Sequence, residues 1–148
     1  MINTAGTTWS DSTTVGVTKA RWSLKIDTAP GTKIKQGEIG TSSGELSTSG
    51  LYTCVALGLS TKDKSFLAHV DAGCCPSILA HWIDTTFEAG SVPTVHLWNH
   101  ASTEVPLFGH AAKVVDQALA LSRVPKGERI NHGRVLLFDV VKIGRESA

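Results

Sequence analysis

No stretch of the chain is apolar for the roughly 18 consecutive residues that a membrane span requires, so nothing in it predicts insertion into a bilayer. Charge of one sign is missing as well. The 14 Lys and Arg against 13 Asp and Glu leave a formal net charge of +1, which predicts neither a nucleic-acid nor an anionic-membrane footprint. The opening Met1 to Ser10 lacks the basic and then apolar regions of a secretory signal. Three cysteines cannot all pair within one chain, so a disulfide scaffold is not expected and a reducing, cytoplasmic compartment fits better. There is no internal repeat and no linker. The 148 residues are therefore read as a Thr/Ser/Gly-rich flexible N-terminus over 1–14, with Trp9 able to tuck onto the body, and a single domain over 15–148. That domain is long enough to bury a core.

What is present alternates with period two and then with period three to four. Val15, Val17, Ala20, Trp22, Leu24 and Ile26 predict a half-buried strand with a slip near Thr18. Ala29-Pro30-Gly31 breaks it, Thr32 to Gly40 predicts a short strand, and Thr41 to Glu45 a loop. Leu51–Leu59 and Phe66–Val70 are apolar runs separated by the polar Ser60 to Ser65, a hairpin pattern without an Asn-Gly or Asp-Gly turn. Pro76 opens a predicted amphipathic helix over 76–88, with Leu79, Trp82, Ile83, Thr86 and Phe87 recurring at three and four. Val92 to Asn99 predicts a strand, Gly109 to Val124 a second helix, and Arg134 to Ile143 a closing strand. Strands first, then strand and helix in alternation, predict an α+β or layered α/β domain, mostly antiparallel sheet or sandwich with two flanking helices.

Folding the hairpin about its turn brings Cys54 and His69 nearly opposite each other. Paired side chains on one face have Cβ atoms about 5 Å apart, within reach of a sulfur–imidazole hydrogen bond. A thiol beside an imidazole is the minimum machinery of a cysteine hydrolase, because the base favours the nucleophilic thiolate. A register slip of one residue would send one of them to the other face.

The same stretch, with Gln36-Gly37-Glu38 before it, resembles the active-site region of the CheD chemoreceptor glutamine deamidases. Those enzymes carry Val-Gly-Glu, then a Thr, then Gly-Leu-Gly-Ser-Cys-Val, then Ala-His at the end of the next strand. The corresponding residues here are Thr48, Gly50-Leu51-Tyr52-Thr53-Cys54-Val55 and Ala68-His69, and the step of six from Thr48 to Cys54 matches. The motif similarity covers about residues 36–71, and beyond it only the order of elements and Gly133-Arg134 correspond. The cytotoxic-necrotizing-factor toxins share the Cys/His arrangement and look like distant relatives. The resemblance implies a CheD-like fold and a glutamine-deamidating amidohydrolase that needs no cofactor or metal. Its substrate would be a glutamine in a protein, by implication one linked to chemotaxis, or a small amide. In that reading Cys54 attacks the carboxamide carbon, and His69 protonates the departing ammonia and then activates water against the thioester. Thr48 orients the imidazole through its hydroxyl or its backbone oxygen.

Other assignments compete. Asp71, two residues beyond His69, is a rival orienter of the ring. The Gly-Gly-Ala that the family keeps after the strand following the first helix is replaced by Asn99-His100-Ala101, so Asn99 and His100 are candidates for the pocket wall. Cys54 lies in an apolar run where it could simply pack, which would make the chain a non-catalytic binding module. His96 and His100, with Cys74, Cys75 and His81, offer the donor types of a metal-dependent hydrolase, but no Cys-x-x-Cys or His-x-x-x-His spacing supports a zinc site. Cys75 precedes the first helix, where the dipole could lower a thiol pKa.

Overall fold

The strands at the centre of the chain are covered on both faces, and their composition shows why. In a strand successive side chains point to opposite faces. In Val55–Ser60 and Ser65–Val70 every position is buried, so both faces have to find cover and neither strand can alternate apolar with polar. Val55, Leu57 and Leu59 with Phe66, Ala68 and Val70 pack into one core, against the helices. Cys54, Ala56 and Leu67 turn to a second core on the opposite face.

The computed structural model describes residues 32–100 and 106–146, with three short strand segments before them. β1 (Thr13–Thr14) and β2 (Gly16–Val17) pair with each other; β3 (Leu24–Ile26), β4 (Thr32–Ile34), β5 (Ile39–Ser42), β6 (Leu46–Thr48), β7 (Val55–Ser60) and β8 (Ser65–Val70) follow. Then come α1 (Pro76–Thr86), β9 (Thr94–Trp98), α2 (Pro106–Leu121), β10 (Arg129–Asn131) and β11 (Val141–Ile143). The flexible segment expected over 1–14 lies outside the described residues apart from Thr13–Thr14, as do Trp9, the slip near Thr18 and the break at Ala29 to Gly31.

The large sheet runs β10-β9-β7-β8-β5-β3 and the small one β11-β6-β4. The three central pairings of the large sheet are antiparallel, its outer pairings β10/β9 and β5/β3 are parallel, and the small sheet has one pairing of each kind. Both sheets are therefore mixed. The two helices pack on one face of the large sheet through Leu79, Ile83, Val115 and Ala118. Ile34, Leu46, Val141 and Ile143 of the small sheet pack on the other face. The result is a layered α+β fold in three tiers, helices, sheet and sheet. Each large apolar side chain removed from water there contributes about 1.5–3 kcal/mol before conformational entropy is set against it.

The small sheet can approach because the large one is flattened where they meet. Gly40 and Gly58 flank Leu67 in one cross-strand row. A Cβ on Gly58 would lie 2.5 Å from Ile143 Cδ1 and 3.1 Å from the Trp98 ring; one on Gly40 would lie 2.4 Å from Ile34 Cδ1.

Several expected boundaries shift. The expected strand over 32–40 is two strands, β4 and β5, separated by a turn, and Thr41 and Ser42 belong to β5 rather than to a loop. Thr48 lies in a strand, β6. The closing strand expected over 134–143 shrinks to Val141–Ile143, and its apolar residues Leu136, Phe138 and Val140 are exposed. The Val, Leu and Phe content there reads as strand in sequence, but no sheet partner meets it until Val141 pairs with Thr48.

Candidate active site

The hairpin register differs from the expected one by two residues. Ala56, not Cys54, pairs with His69, and Val55 pairs with Val70. Cys54 stands just before β7, one position short of that pairing, on the same face as Ala56 and His69 and toward Asp71. Cys54 and His69 are thus diagonal neighbours. The two side chains share a face, but they are not directly opposed.

The imidazole is held from the small sheet. Thr48 Oγ1 lies 2.8 Å from His69 Nδ1 and donates to the Ile34 carbonyl at 2.7 Å. A carbonyl only accepts, so the single hydroxyl proton points at Ile34 and Nδ1 must donate to Thr48. That fixes the tautomer and leaves Nε2 with its lone pair. Nε2 is buried and has no hydrogen-bond partner among the described residues. An unpartnered buried polar atom costs about 1–3 kcal/mol, and such atoms concentrate where function requires them. Ile34 and Thr48 are paired residues of β4 and β6, so the small sheet supplies both hydroxyl and acceptor.

Asp71 does not orient the ring, because Nδ1 is taken by Thr48. Its carboxylate instead accepts from Gln36 Nε2 at 2.9 Å, the Gly73 amide at 2.9 Å and Cys74 Sγ at 3.3 Å. Its influence on the pair is electrostatic. Burial lowers the His69 pKa to about 4, with Asp71 pulling the other way. Burial pushes the Cys54 thiol up to about 12, the Asp71 charge adds to that, and a hydrogen bond with Thr53 opposes it. The resting pair is a neutral thiol and a neutral imidazole, not the thiolate expected from pairing alone, because desolvation penalises both ions. Burial, with Asp71 beside it, likewise raises the Cys74 pKa well above the ordinary thiol value. Cys54, His69 and Thr48 are 4 %, 2 % and 0 % exposed, so the site is closed at rest.

Gln36-Gly37-Glu38 braces β8. The Gly37 amide donates to the His69 carbonyl at 2.9 Å and the His69 amide to the Glu38 carbonyl at 3.2 Å. Gln36 on Asp71 was not singled out in the sequence, although its place in the Gly-Glu motif was the available signal.

Asn99 and His100 part company. Asn99 is buried, has φ 64°, and reaches the loop that carries Cys54: its Nδ2 donates to the Leu51 carbonyl at 2.6 Å and to the Cys54 carbonyl at 3.3 Å. It braces the loop rather than walling a pocket. His100 turns away, with Nε2 2.7 Å from Asp116 of α2 and 3.3 Å from Arg129 of β10. Ala101 lies outside the described residues.

The candidate metal donors are dispersed. Cys74 bonds Asp71, Cys75 Sγ lies 3.2 Å from Ser77 Oγ, and His81 meets Trp82 edge-on. His96 Nδ1 faces His132 Nε2 at 2.9 Å, with Trp98 stacked on His132. Among the described residues no three His, Cys, Asp or Glu converge as a metal site. A cavity of about 710 Å³ beside α1 is lined by His81, Asp84, Phe87 and Arg123 among others, on the helix side of the large sheet, away from Cys54. Among the described residues no helix is long and apolar enough to cross a membrane. No protein-family model matches the chain, and no curated protein matches it.

Proposed function

We propose that this chain is a cysteine-dependent amidohydrolase of the CheD-like kind that deamidates a glutamine side chain, in a protein or a small amide, in the cytoplasm. The observation that carries the proposal is the buried, unpartnered Nε2 of His69, held in the basic tautomer by Thr48 on the face it shares with Cys54. A ring with one nitrogen locked as donor and the other left bare is the arrangement a general base requires.

The chemistry balances without a cofactor. As Sγ bonds to the carboxamide carbon, its proton passes to His69 Nε2 and the carbonyl becomes an oxyanion. Backbone N–H groups around Cys54 are the donors this reading assigns to that oxygen. Collapse breaks the C–N bond, Nε2 returns the proton to nitrogen, and ammonia leaves a thioester. Water then attacks, giving one proton to Nε2; the C–S bond breaks, the released thiolate takes that proton back, and the carboxylic acid departs and passes its remaining proton to the ammonia. Because the resting thiol is neutral, with its pKa pushed up to about 12, proton transfer accompanies attack instead of preceding it.

A second reading has its own observation. Cys54 is 4 % exposed and bonds to no imidazole, as a packing cysteine in a binding module would be. Ammonia release from glutamine-containing peptides and proteins separates the two. Cys54→Ala should abolish it while the fold survives, since losing one sulfur leaves only a small cavity. Release that persists in Cys54→Ala would end the nucleophile assignment.

A further inference from the structure

The Cys54 loop is held from outside its own hairpin. Asn99 follows β9 with φ 64°, a left-handed conformation that Asn tolerates better than other non-glycine residues. That turn aims its carboxamide back across the sheet end. Nδ2 donates to the carbonyls of Leu51 and Cys54, and Oδ1 accepts from the Val135 amide at 2.8 Å. The Asn99 amide donates to the Gly133 carbonyl at 2.8 Å, and the Gly50 amide at the start of the Cys54 loop donates to Leu137 at 2.9 Å. The one buried side chain thus ties Leu51, Cys54 and Val135 to the end of β9, and the Asn99 backbone amide adds Gly133.

Resting on the amidohydrolase reading, we propose that Asn99 is the positioning residue of the nucleophile: its carboxamide fixes the Leu51 and Cys54 carbonyls and thereby sets where Sγ and the Thr53 and Cys54 amides point. It does not touch the reacting atoms and acts only through the Cys54 backbone. Leu51 and Cys54 pack into the second core, but Tyr52 between them is 69 % exposed, so packing anchors the ends of the loop and not its centre. Removing the clamp frees the thiol from burial and misplaces it for attack, and a misplacement of about 1 Å costs about 10²-fold in rate.

The test uses the full chain with Asn99→Gly and Asn99→Asp. Glycine accepts φ 64° without strain, so it removes the clamp and keeps the turn. Aspartate keeps the shape and the Val135 bond but offers no donor to the two carbonyls. Two readouts are taken: iodoacetamide alkylation of Cys54 under native conditions, followed by mass spectrometry, and kcat and KM for ammonia release. Both variants should alkylate at least about tenfold faster and lose about 10²-fold in kcat with KM little changed. Alkylation and kcat within about twofold of wild type in Asn99→Gly, with near-UV circular dichroism unchanged, would overturn the proposal. If the wild type releases no ammonia, the amidohydrolase reading fails, while alkylation still decides whether Asn99 clamps the loop. Loss of kcat without faster alkylation, or with KM raised in proportion, would also overturn it.

Discussion

At the scale of single residues the candidate site depends on one proton. Thr48 gives its hydroxyl hydrogen to the Ile34 carbonyl and therefore accepts from His69 Nδ1, so the hydroxyl, not the Thr48 backbone oxygen, orients the ring. Thr48→Ser should retain turnover, because the same contacts can form. Thr48→Val preserves shape but removes the acceptor for Nδ1 and one bond to the Ile34 carbonyl; it should abolish ammonia release and cost about 1–3 kcal/mol of stability in urea titration. Wild-type turnover in Thr48→Val would show that the hydroxyl does not set the tautomer. Thr48, Cys54 and His69 are all buried and Thr48 meets the His69 ring; hairpin spacing suggested Cys54 and His69, whereas Thr48 was suggested only by the resemblance. Asn99 was visible only as a departure from a small-residue pattern. Its role depends on a left-handed turn and on carbonyls more than forty positions away, which periodicity does not encode.

At the scale of elements the site depends on how closely the two sheets approach. Gly58, with Leu67 and His96 as its cross-strand neighbours, lies against Ile143 of the small sheet, with the Trp98 ring of β9 beside it. Gly58→Ala should therefore push β11 outward and destabilise the protein by roughly 1–3 kcal/mol, the usual cost of overpacking, read as a lower urea midpoint at unchanged slope. An unchanged midpoint would mean that Ile143 simply swings aside. β7, β8, α1, β9 and α2 were legible because their apolar periods are strong, although their ends moved by a few residues. β6 and β10 were not. Leu46–Thr48 and Arg129–Asn131 are three residues each, too short for a period to show, and they are strands only because neighbouring strands supply their hydrogen bonds. The reverse holds for 134–140, which has strand composition but lacks a partner over most of its length.

Across the whole molecule, burial of the pair makes stability depend on pH in two windows. The His69 pKa falls from 6.5 to about 4 on folding, so between those values the unfolded chain binds the extra proton and stability falls as pH drops through them. The Cys54 pKa rises from 9.0 to about 12, and Cys74 shifts the same way. Above pH 9 the unfolded chain loses thiol protons that the folded one keeps, so stability falls as pH rises. Each group contributes a slope of at most about 1.4 kcal/mol per pH unit. Urea midpoints measured across pH should plateau between about 6.5 and 9, the unfolded-state values of the two groups. His69→Gln should make the acid side shallower and leave the alkaline side alone, the remainder of the acid slope belonging to groups such as His96, whose pKa burial also lowers. An acid limb unchanged in that variant would remove His69 as its source.

The sequence by itself determined the layered α+β class, the two helices and the central hairpin, each of which follows from local period. The candidate site residues came from the hairpin spacing of Cys54 and His69 together with a motif resemblance. Only the tertiary structure decided the two-residue offset that makes Cys54 and His69 diagonal, the choice of Thr48 over Asp71 as orienter, and the clamp from Asn99. The physical reason is common to all three. Register and hydrogen-bond partnership arise when separate strands pack against each other, and the desolvation that keeps the thiol and imidazole neutral exists only once the small sheet has closed over them.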